Sequence, residues 1–229
     1  MCAGDAGPIP PPLHLDGETV FFVPTFNYLS SMLSHENNLL PEINRRRGIA
    51  SSVLKGLHKP LWRHRSISRA TKRRIYNASV VSVLLTGAET WPLSQTLEAR
   101  LDGFDSRALR RIEGIHWTDH ITNEELRERT CQPYASVLAG QKRLRWYGHL
   151  RRLPPEHPAR IAYDFDPVAA GWQRPRGAPR TRWRDVVSSD LRRLGLSLDD
   201  AEDLAQDRLQ WRNLVFLFGS TRPARMRIE

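Results

Sequence analysis

The sequence predicts a mainly α-helical protein, with a short N-terminal β-hairpin followed by a helical bundle and a C-terminal helical segment. Beyond residue 40, apolar residues recur every three or four positions, the period of a helix with one buried face. Before residue 34, β-branched and aromatic residues instead surround an Asp-Gly pair, which is typical of a hairpin. With 229 residues and 40% hydrophobic residues, the chain is long enough to bury a core.

The N-terminal segment is predicted to contain a single β-hairpin. Residues 1–12 are rich in Gly and Pro, and we expect them to be disordered. Residues 13–33 form the hairpin, which turns at Asp16-Gly17 into a long second strand rich in Phe, Val and Tyr. Because Pro24 has no N–H to donate to a neighbouring strand, we expect it at an edge or a bulge.

Three helices are predicted over residues 41–114. Proline is favoured in a first helical turn and disrupts an interior one, serine caps helix starts, and glycine ends many helices. The predicted boundaries are Pro41 and Pro60 for the first helix, Ser66 or Ser68 and Gly87 for the second, and Ser94 and Gly114 for the third. Each helix has apolar residues at helical spacing and therefore one buried face.

Residues 115–152 are predicted to form a helix-turn-helix-like segment. Thr122 and Glu125 have the spacing of a capping box at the start of the first helix, and the second helix begins near Ala135. Two interpretations remain open at this point. The second helix could lie along a nucleic-acid groove, or the pair could be an ordinary αα-hairpin with a basic surface.

The remaining residues are predicted to be a linker, two helices and a tail. Residues 153–180 are dense in Pro, Gly and Arg, which favours a basic linker. Residues 181–218 carry two helical patterns, one from Arg182 to Leu194 and one from Asp199 to about Phe218. Residues 219–229 are expected to be a frayed tail.

The charge of the chain indicates a polyanionic partner. Lys and Arg total 35 against 25 Asp and Glu, which gives a net charge of +10, and 31 of the 35 are arginine. Residues 45–75 contain eleven basic side chains and no acid, and residues 142–184 contain eleven against three acids. A segment free of acids can neutralise phosphates without pairing internally. The alternatives are two solvated helix faces, or an arginine content that reflects coding bias.

The predicted partner is therefore RNA, DNA or an RNA–DNA hybrid, with no membrane partner. Arginine favours this reading because its planar guanidinium group binds phosphate with two hydrogen bonds. The candidate nucleic-acid-binding residues are Arg45, Arg46, Arg47, Lys55, Arg69, Lys72, Arg73, Arg74, Lys142, Arg143, Arg145, Trp146, His149, Arg151, Arg152, Arg176 and Arg180.

Several protein classes are excluded by the sequence. Cys2 and Cys131 are too few for a disulfide framework, so a small secreted fold is unexpected. No run reaches the ~18 apolar residues of a membrane span, and the first residues lack the basic start and apolar stretch of a signal peptide. We therefore expect an intracellular protein, in the nucleus or the cytoplasm.

Three short motifs have both a functional and a structural interpretation. Arg174–Arg180 could enter a minor groove or could be a basic linker that contacts phosphate, and Ala178 in place of an arginine favours the linker. His116 and His120, with Cys131 and His149, could bind zinc, but the usual second pair of ligands is missing and a polar turn is simpler. Asp199-Asp200 could hold metal ions but fits a helix start after Ser197.

No complete catalytic set is present in these motifs. The chain has no Gly-rich phosphate loop and no nucleophile or metalloprotease motif. The sequence therefore predicts no catalytic residue, no metal site and no cofactor in this chain.

Half a dozen sequence blocks, in the same order, resemble the C-terminal part of non-LTR (LINE-type) retrotransposon reverse transcriptases, also called endonuclease-reverse transcriptases. The similarity covers about residues 13–215. The blocks include FNYLSSMLS, PEINRRRGIASSVLKGL, LWRHRSISRATKRRIYNASVVSVLLTGAETWPLS, RLDGFDSRALRRIEGIHWTDHITNEEL, QKRLRWYGHLRRL and RPRGAPRTRWRDVV. Ser30, Thr86 and Ala178 depart from the residues common in that family.

The resemblance implies a role for each segment. Phe26, Tyr28 and Leu29 in residues 13–33 would form a primer grip, and residues 41–114 would form a thumb that packs against primer–template. The implied thumb residues are Lys72, Arg73, Arg74, Tyr76, Glu89 and Trp91, and the implied post-polymerase residues, which help to hold template RNA or target DNA, are Arg143, Leu144, Trp146, Gly148 and His149.

The resemblance also implies what this chain does not do alone. In the family, the metal-binding carboxylates lie in a palm that precedes these blocks, so Mg²⁺ is expected only for that palm and the chain alone is expected to be inactive. The rest of a reverse transcriptase is a candidate partner. The alternatives are a helical protein-interaction module with a basic face, and a non-functional retroelement relic whose isolated hairpin is poorly stable.

Overall fold

The fold is mainly α-helical, as predicted, with short β-hairpins in front of the helices. It was obtained as a computed structural model, which describes residues 13–21, 23–28, 31–34, 38–165, 171 and 181–219. Among these residues, no helix combines the length and the apolar character that crossing a bilayer requires. The predicted disordered N-terminus, most of the second half of the predicted linker and most of the tail lie outside the described residues.

The described N-terminal residues form two hairpins rather than the single predicted one. Strand β1 (Leu13–Leu15) pairs with β2 (Glu18–Val20), and β3 (Thr25–Tyr28) pairs with β4 (Ser31–Ser34), both antiparallel. The predicted long second strand is divided near Pro24, which lies between β2 and β3 where no ladder hydrogen bond needs its missing N–H. The second hairpin is held against the helices because the Met32 N–H donates to Glu42 Oε2 at 2.9 Å.

Helix α1 (Leu40–Gly56) begins as predicted with Pro41 in its first turn, but Pro60 does not end the helical stretch. A π-helical segment, His58–Trp62, follows directly and contains Pro60. Proline fits there because the first turn of a helical segment needs no N–H from it. The Trp62 indole donates to the Leu54 carbonyl at 2.8 Å, which fixes this segment on α1.

The next helices begin after predicted capping residues, although the second predicted helix ends at Leu84, before the expected Gly87. Helix α2 (Arg69–Tyr76) starts after Ser68, whose hydroxyl accepts a hydrogen bond from the Thr71 N–H, so Ser68 and not Ser66 is the cap. It continues through a π-helical segment (Asn77–Val81) into the short α3 (Ser82–Leu84). Helix α4 (Gln95–Glu113) ends at Gly114, which has a left-handed φ of 71°. A short 3₁₀ turn, Ala88–Thr90, joins α3 to α4.

Helices α5 (Asn123–Thr130) and α6 (Ala135–Arg151) form the predicted helix pair. Thr122 caps α5 by accepting a hydrogen bond from the Glu125 N–H at 3.1 Å. Eleven of the 17 residues of α6 are buried, which makes it the central helix of the fold. This burial favours the ordinary αα-hairpin over a recognition helix, because a recognition helix needs a whole free face.

The C-terminal part differs from the prediction in two places. Helix α7 (Pro158–Asp164) lies inside the predicted linker. The helix predicted from Asp199 to Phe218 is two helices, α9 (Leu198–Gln206) and α10 (Arg208–Leu217), which follow α8 (Trp183–Arg193). The break falls at Asp207 because its carboxylate accepts hydrogen bonds from the Leu209 and Gln210 N–H groups and so starts a new helix.

The helices enclose two apolar clusters, and α6 contributes to both. The first cluster is formed by α1–α5 with the start of α6, and includes Leu101 and Leu109 of α4. The second is formed by α6, α8, α9 and α10, and includes Tyr147 and Trp211. Because α6 contributes residues to both clusters, the N-terminal helices and the C-terminal helices both pack against α6.

Candidate nucleic-acid interface

Four of the predicted nucleic-acid contacts are buried, and this corrects the prediction for Arg46, Lys72, Arg143 and Arg151. A side chain inside the protein cannot reach a phosphate, and each of these cations is already bound to an oxygen of the chain itself. Their partners are Glu42 for Arg46 (2.7 Å), the Trp62 carbonyl for Lys72 (2.8 Å), Asp190 and the Trp91 carbonyl for Arg143, and Asp164 and Glu202 for Arg151.

The acid-free stretch at residues 45–75 is partly neutralised by carboxylates from outside it. Glu113, at the end of α4, accepts a hydrogen bond from Arg73 at 2.9 Å and lies 3.8 Å from Arg69. Glu42, which precedes the stretch, lies 3.8 Å from Arg45. Of the candidate residues in this stretch, Lys55 and Arg74 are exposed and have no acidic partner among the described residues.

On α6, the predicted residues that remain outside the core form a small basic and aromatic surface. The rings of Trp146 and His149 lie 5.1 Å apart, and Arg145 is exposed beside them. Two cations at its ends are bound to backbone carbonyls, Lys142 to Leu85 at 2.8 Å and Arg152 to Ala205 at 2.6 Å. This surface has fewer free charges than its sequence predicts.

The primer-grip-like residues lie on an exposed hairpin. Phe26 is 50% exposed and Tyr28 is 57% exposed on β3. The predicted residues Leu29, Arg176 and Arg180 lie outside the described residues.

Two of the three short motifs take the structural roles that their spacing favours, and the third, Arg174–Arg180, lies outside the described residues. Ser197 caps α9, and its hydroxyl and N–H donate to Asp200, which lowers the pKa of that carboxyl. His116 and His120 flank a 3₁₀ turn, Trp117–Asp119. Within the described ranges, no three His, Cys, Asp or Glu side chains come together as metal ligands would.

A cluster of arginines lies in a cleft between α1 and α4, here called the α1–α4 cleft. It has a volume of about 490 Å³. Three of its lining residues are arginines and none is acidic. The lining residues are Asn44, Arg47, Gly48, Ser51, Leu54, Phe104, Arg107, Ala108 and Arg111.

Arg47 carries a nitrogen in this cleft that the fold does not satisfy. Its Nε is buried and has no hydrogen-bond partner among the described residues, while its Nη1 donates to Asn44 Oδ1 at 3.4 Å. Burial, together with the like charges of Arg107 and Arg100, lowers the pKa of Arg47. Because arginine stays protonated in proteins, the site keeps its charge, and no carboxylate within the described ranges pairs with it.

The positive potential extends from the cleft to the end of α1. Partial burial lowers the pKa of His58, and the nearby charges of Arg111 and Arg63 lower it further. Its Nδ1 is buried and unpaired within the described part of the chain. Arg63 and Arg111 are exposed and lack a carboxylate partner there. The cleft and this end of α1 therefore form one electropositive surface.

The sequence-based prediction found Arg47 but missed Arg100, Arg107 and Arg111. These three residues are spaced by seven and four positions, so they form a line along one side of α4. A sum of charges over the whole helix hides this line, because α4 also contains Glu98, Asp102, Asp105 and Glu113. The helical spacing of these arginines indicates from the sequence that they share one side of the helix.

A comparison with known proteins relates the chain to transposon-derived sequences. A transposon-derived protein of Caenorhabditis elegans is 23% identical over 196 residues, which cover 82% of this chain and 69% of that protein. No family model matches the chain, and no solved structure matches it significantly.

Proposed function

We propose that the chain is a nucleic-acid-binding, C-terminal fragment of a retrotransposon reverse transcriptase that holds primer–template through its basic helices. The observation that carries this proposal is the line of arginines along the α1–α4 cleft. Arg47, Arg107 and Arg111 line the cleft, Arg100 is close enough to affect the pKa of Arg47, and none of them has a carboxylate partner among the described residues. Uncompensated guanidinium groups in a cleft attract a polyanion.

Binding by this surface depends on phosphate rather than on base sequence. Guanidinium groups bind phosphate oxygens with two parallel hydrogen bonds, and each contact releases condensed counter-ions from the nucleic acid. The cleft is lined by three arginines together with Asn44, Ser51 and small or apolar residues, and contacts from its guanidinium groups to phosphate fix the position of a nucleic acid without reading its sequence. An RNA–DNA hybrid and an RNA duplex are therefore both suitable ligands.

The transposon-derived relative and the order of the sequence blocks support the finer assignment to a reverse transcriptase. In this proposal, α1–α4 act as the thumb and the β3–β4 hairpin acts as the primer grip. The chain positions nucleic acid, and the proposal assigns it no catalytic step.

Affinity for a labelled RNA–DNA hybrid is expected to fall about a thousandfold between 50 and 200 mM salt if roughly six phosphates are contacted. Fluorescence anisotropy titrations at several salt concentrations measure both the affinity and its slope. Absence of binding at low salt, or binding that salt does not weaken, contradicts the proposal.

A matched pair of charge reversals tests where the nucleic acid binds. Arg107→Glu with Arg111→Glu changes two exposed arginines four positions apart on α4, and Arg208→Glu with Arg212→Glu makes the same change on α10. We expect the α4 pair to weaken binding of the hybrid at least tenfold more than the α10 pair. Equal losses would show that the net charge matters and the cleft does not.

Glu113→Gln is expected to strengthen binding of the hybrid. The substitution releases Arg73 and Arg69 from their carboxylate partner, and Arg69 is already 71% exposed. One solvent-exposed charge contributes about 0.5–1 kcal/mol, so the affinity should rise about two- to fivefold at low salt. Glu128→Gln, which removes an exposed acid on α5, is the control for net charge. The same gain in both variants would mean that Arg69 and Arg73 do not contact the ligand.

A further inference from the structure

The α1–α4 cleft has features of a built anion site rather than of a generally basic surface. An exposed arginine keeps its water, whereas the Arg47 Nε is buried and has neither a carboxylate nor a carbonyl partner among the described residues. The Arg47 side chain is only half-buried and lines the cleft, so the rest of its guanidinium group can meet an anion there, and such an anion balances a charge that no carboxylate balances among the described residues. Arg107 and Arg111 line the same cleft, so an anion next to Arg47 meets further guanidinium groups.

Gly48 leaves the space that such an anion needs. It lies in the interior of α1, where glycine costs about 1 kcal/mol relative to alanine, and it lines the cleft. Its φ is not in the left-handed region, and a Cβ at this position would meet no atom within 4 Å. The backbone therefore does not require glycine there, and the absence of a side chain keeps the cleft open.

The chemistry of the lining selects phosphate with a small organic group attached. A volume of about 490 Å³ is within the range of small-molecule sites and is larger than one phosphate needs. Leu54, Phe104 and Ala108 supply an apolar wall, while the arginines supply the charge. A phosphate together with its sugar satisfies both parts of this lining.

We propose that the α1–α4 cleft is a phosphate-binding seat, in which Arg47 and Arg107 hold one phosphate group and the open position at Gly48 admits the attached sugar. This inference rests on the proposed nucleic-acid binding and specifies where one backbone phosphate sits. The same chemistry could come from a phosphodiester backbone or from a free polyphosphate, and the two sources are separated by experiment.

Two glutamate substitutions on α1 test the seat. Gly48→Glu places a carboxylate in the cleft, and Gly56→Glu makes the same charge change on the same helix outside the cleft lining. A Cβ at either position meets no atom within 4 Å. We expect Gly48→Glu to weaken binding of the RNA–DNA hybrid at least tenfold relative to Gly56→Glu, and to lower the slope of log affinity against log salt by about 1, as for one lost phosphate contact. Equal effects of the two variants would overturn the seat while leaving the proposed function in place.

A second pair of variants keeps the proposal testable if one of the glutamate variants does not fold. Arg47→Met removes the guanidinium group that lines the cleft, and Arg192→Met removes an exposed arginine of α8 that is outside the cleft. Melting temperatures of all four variants are measured first. A fall in hybrid affinity for Arg47→Met alone supports the seat, and equal affinities for Arg47→Met and Arg192→Met overturn it.

Free pyrophosphate separates the two sources and keeps the seat testable without nucleic acid. We expect millimolar pyrophosphate to raise the melting temperature of the unmodified protein and of Gly56→Glu, but not of Gly48→Glu or Arg47→Met. If the protein does not bind the hybrid and pyrophosphate still gives this pattern, the proposed function fails and the seat belongs to a free polyphosphate. If pyrophosphate stabilises all four proteins equally, the cleft is not the seat.

Discussion

Replacing Arg143 with methionine is expected to destabilise the protein by about 3–5 kcal/mol, the usual cost of removing one partner from a buried ion pair. Arg143 is 0% exposed and Asp190 is 1% exposed, and their closest atoms are 2.6 Å apart. Arg143 also donates to the Trp91 carbonyl at 3.2 Å. The substitution would leave the buried Asp190 carboxylate with Arg193, which is 48% exposed and 3.7 Å away, as its basic partner among the described residues. The loss falls at the point where α6 meets α8.

The pH dependence of the Arg143→Met variant has a defined sign. Burial already raises the pKa of Asp190, and Arg143 opposes that rise. Without Arg143 the pKa of the folded state rises further above the value of about 3.9 in the unfolded chain. A carboxyl group whose pKa is higher in the folded than in the unfolded protein makes its full contribution to stability at pH values below the unfolded pKa. This contribution is lost as the pH rises through the folded pKa. The variant should therefore lose stability, relative to the unmodified protein, as pH rises from about 4.

Urea denaturation of both proteins between about pH 4 and pH 8 measures this difference. The double variant Arg143→Met with Asp190→Leu is the control, because replacing both charges with apolar groups removes the buried carboxylate and should recover most of the loss. A single variant as stable as the unmodified protein, or a double variant no better than the single one, would show that the pair does not couple α6 to α8.

The buried position of Arg143 shows that the sequence could predict helix boundaries but not the partners of charged side chains. Local signals placed the helices well: Ser68, Thr122 and Ser197 cap α2, α5 and α9 as predicted. Each capping hydrogen bond lies within one helical turn, so the residues next to the cap in sequence are enough to predict it. The partner of Arg143, by contrast, is 47 residues away in sequence. A basic residue on a helix looks the same in sequence whether it faces solvent or a distant carboxylate.

The same reasoning explains the partial success with the candidate interface. The acid-free segment led to Arg47, but its apparent excess of charge is reduced by Glu42 and Glu113, which lie outside it. On α4 the net charge of the segment is too low to indicate a basic surface, because Asp102 and Asp105 offset the arginines in the sum. Those two acids bind elsewhere, Asp102 to Ser136 and Asp105 to Arg127 and Tyr76. Which helix face a charge occupies, rather than how many charges a segment holds, decides whether it is free.

Gly148→Ala is expected to destabilise the protein by about 3 kcal/mol or more, although alanine is the better helix former. Gly148 lies inside α6, and a Cβ at this position would overlap the indole of Trp211. That indole is buried and donates to the Leu144 carbonyl at 2.9 Å, so it cannot move without losing a buried hydrogen bond. The resemblance implied that Gly148 helps to hold nucleic acid, whereas the packing assigns it to the contact between α6 and α10.

Gly48→Ala is the matched control, since Gly48 is also inside a 17-residue helix but a Cβ there meets nothing within 4 Å. Helix propensity alone predicts that this control gains about 0.5–1 kcal/mol. Thermal denaturation followed by circular dichroism compares the two variants, and tryptophan fluorescence reports whether Trp211 has moved. Opposite signs for the two substitutions mean that packing, and not propensity, explains the glycine of α6. If Gly148→Ala also stabilises the protein, then Trp211 does not pack against α6 in this way, and the second apolar cluster loses its central contact.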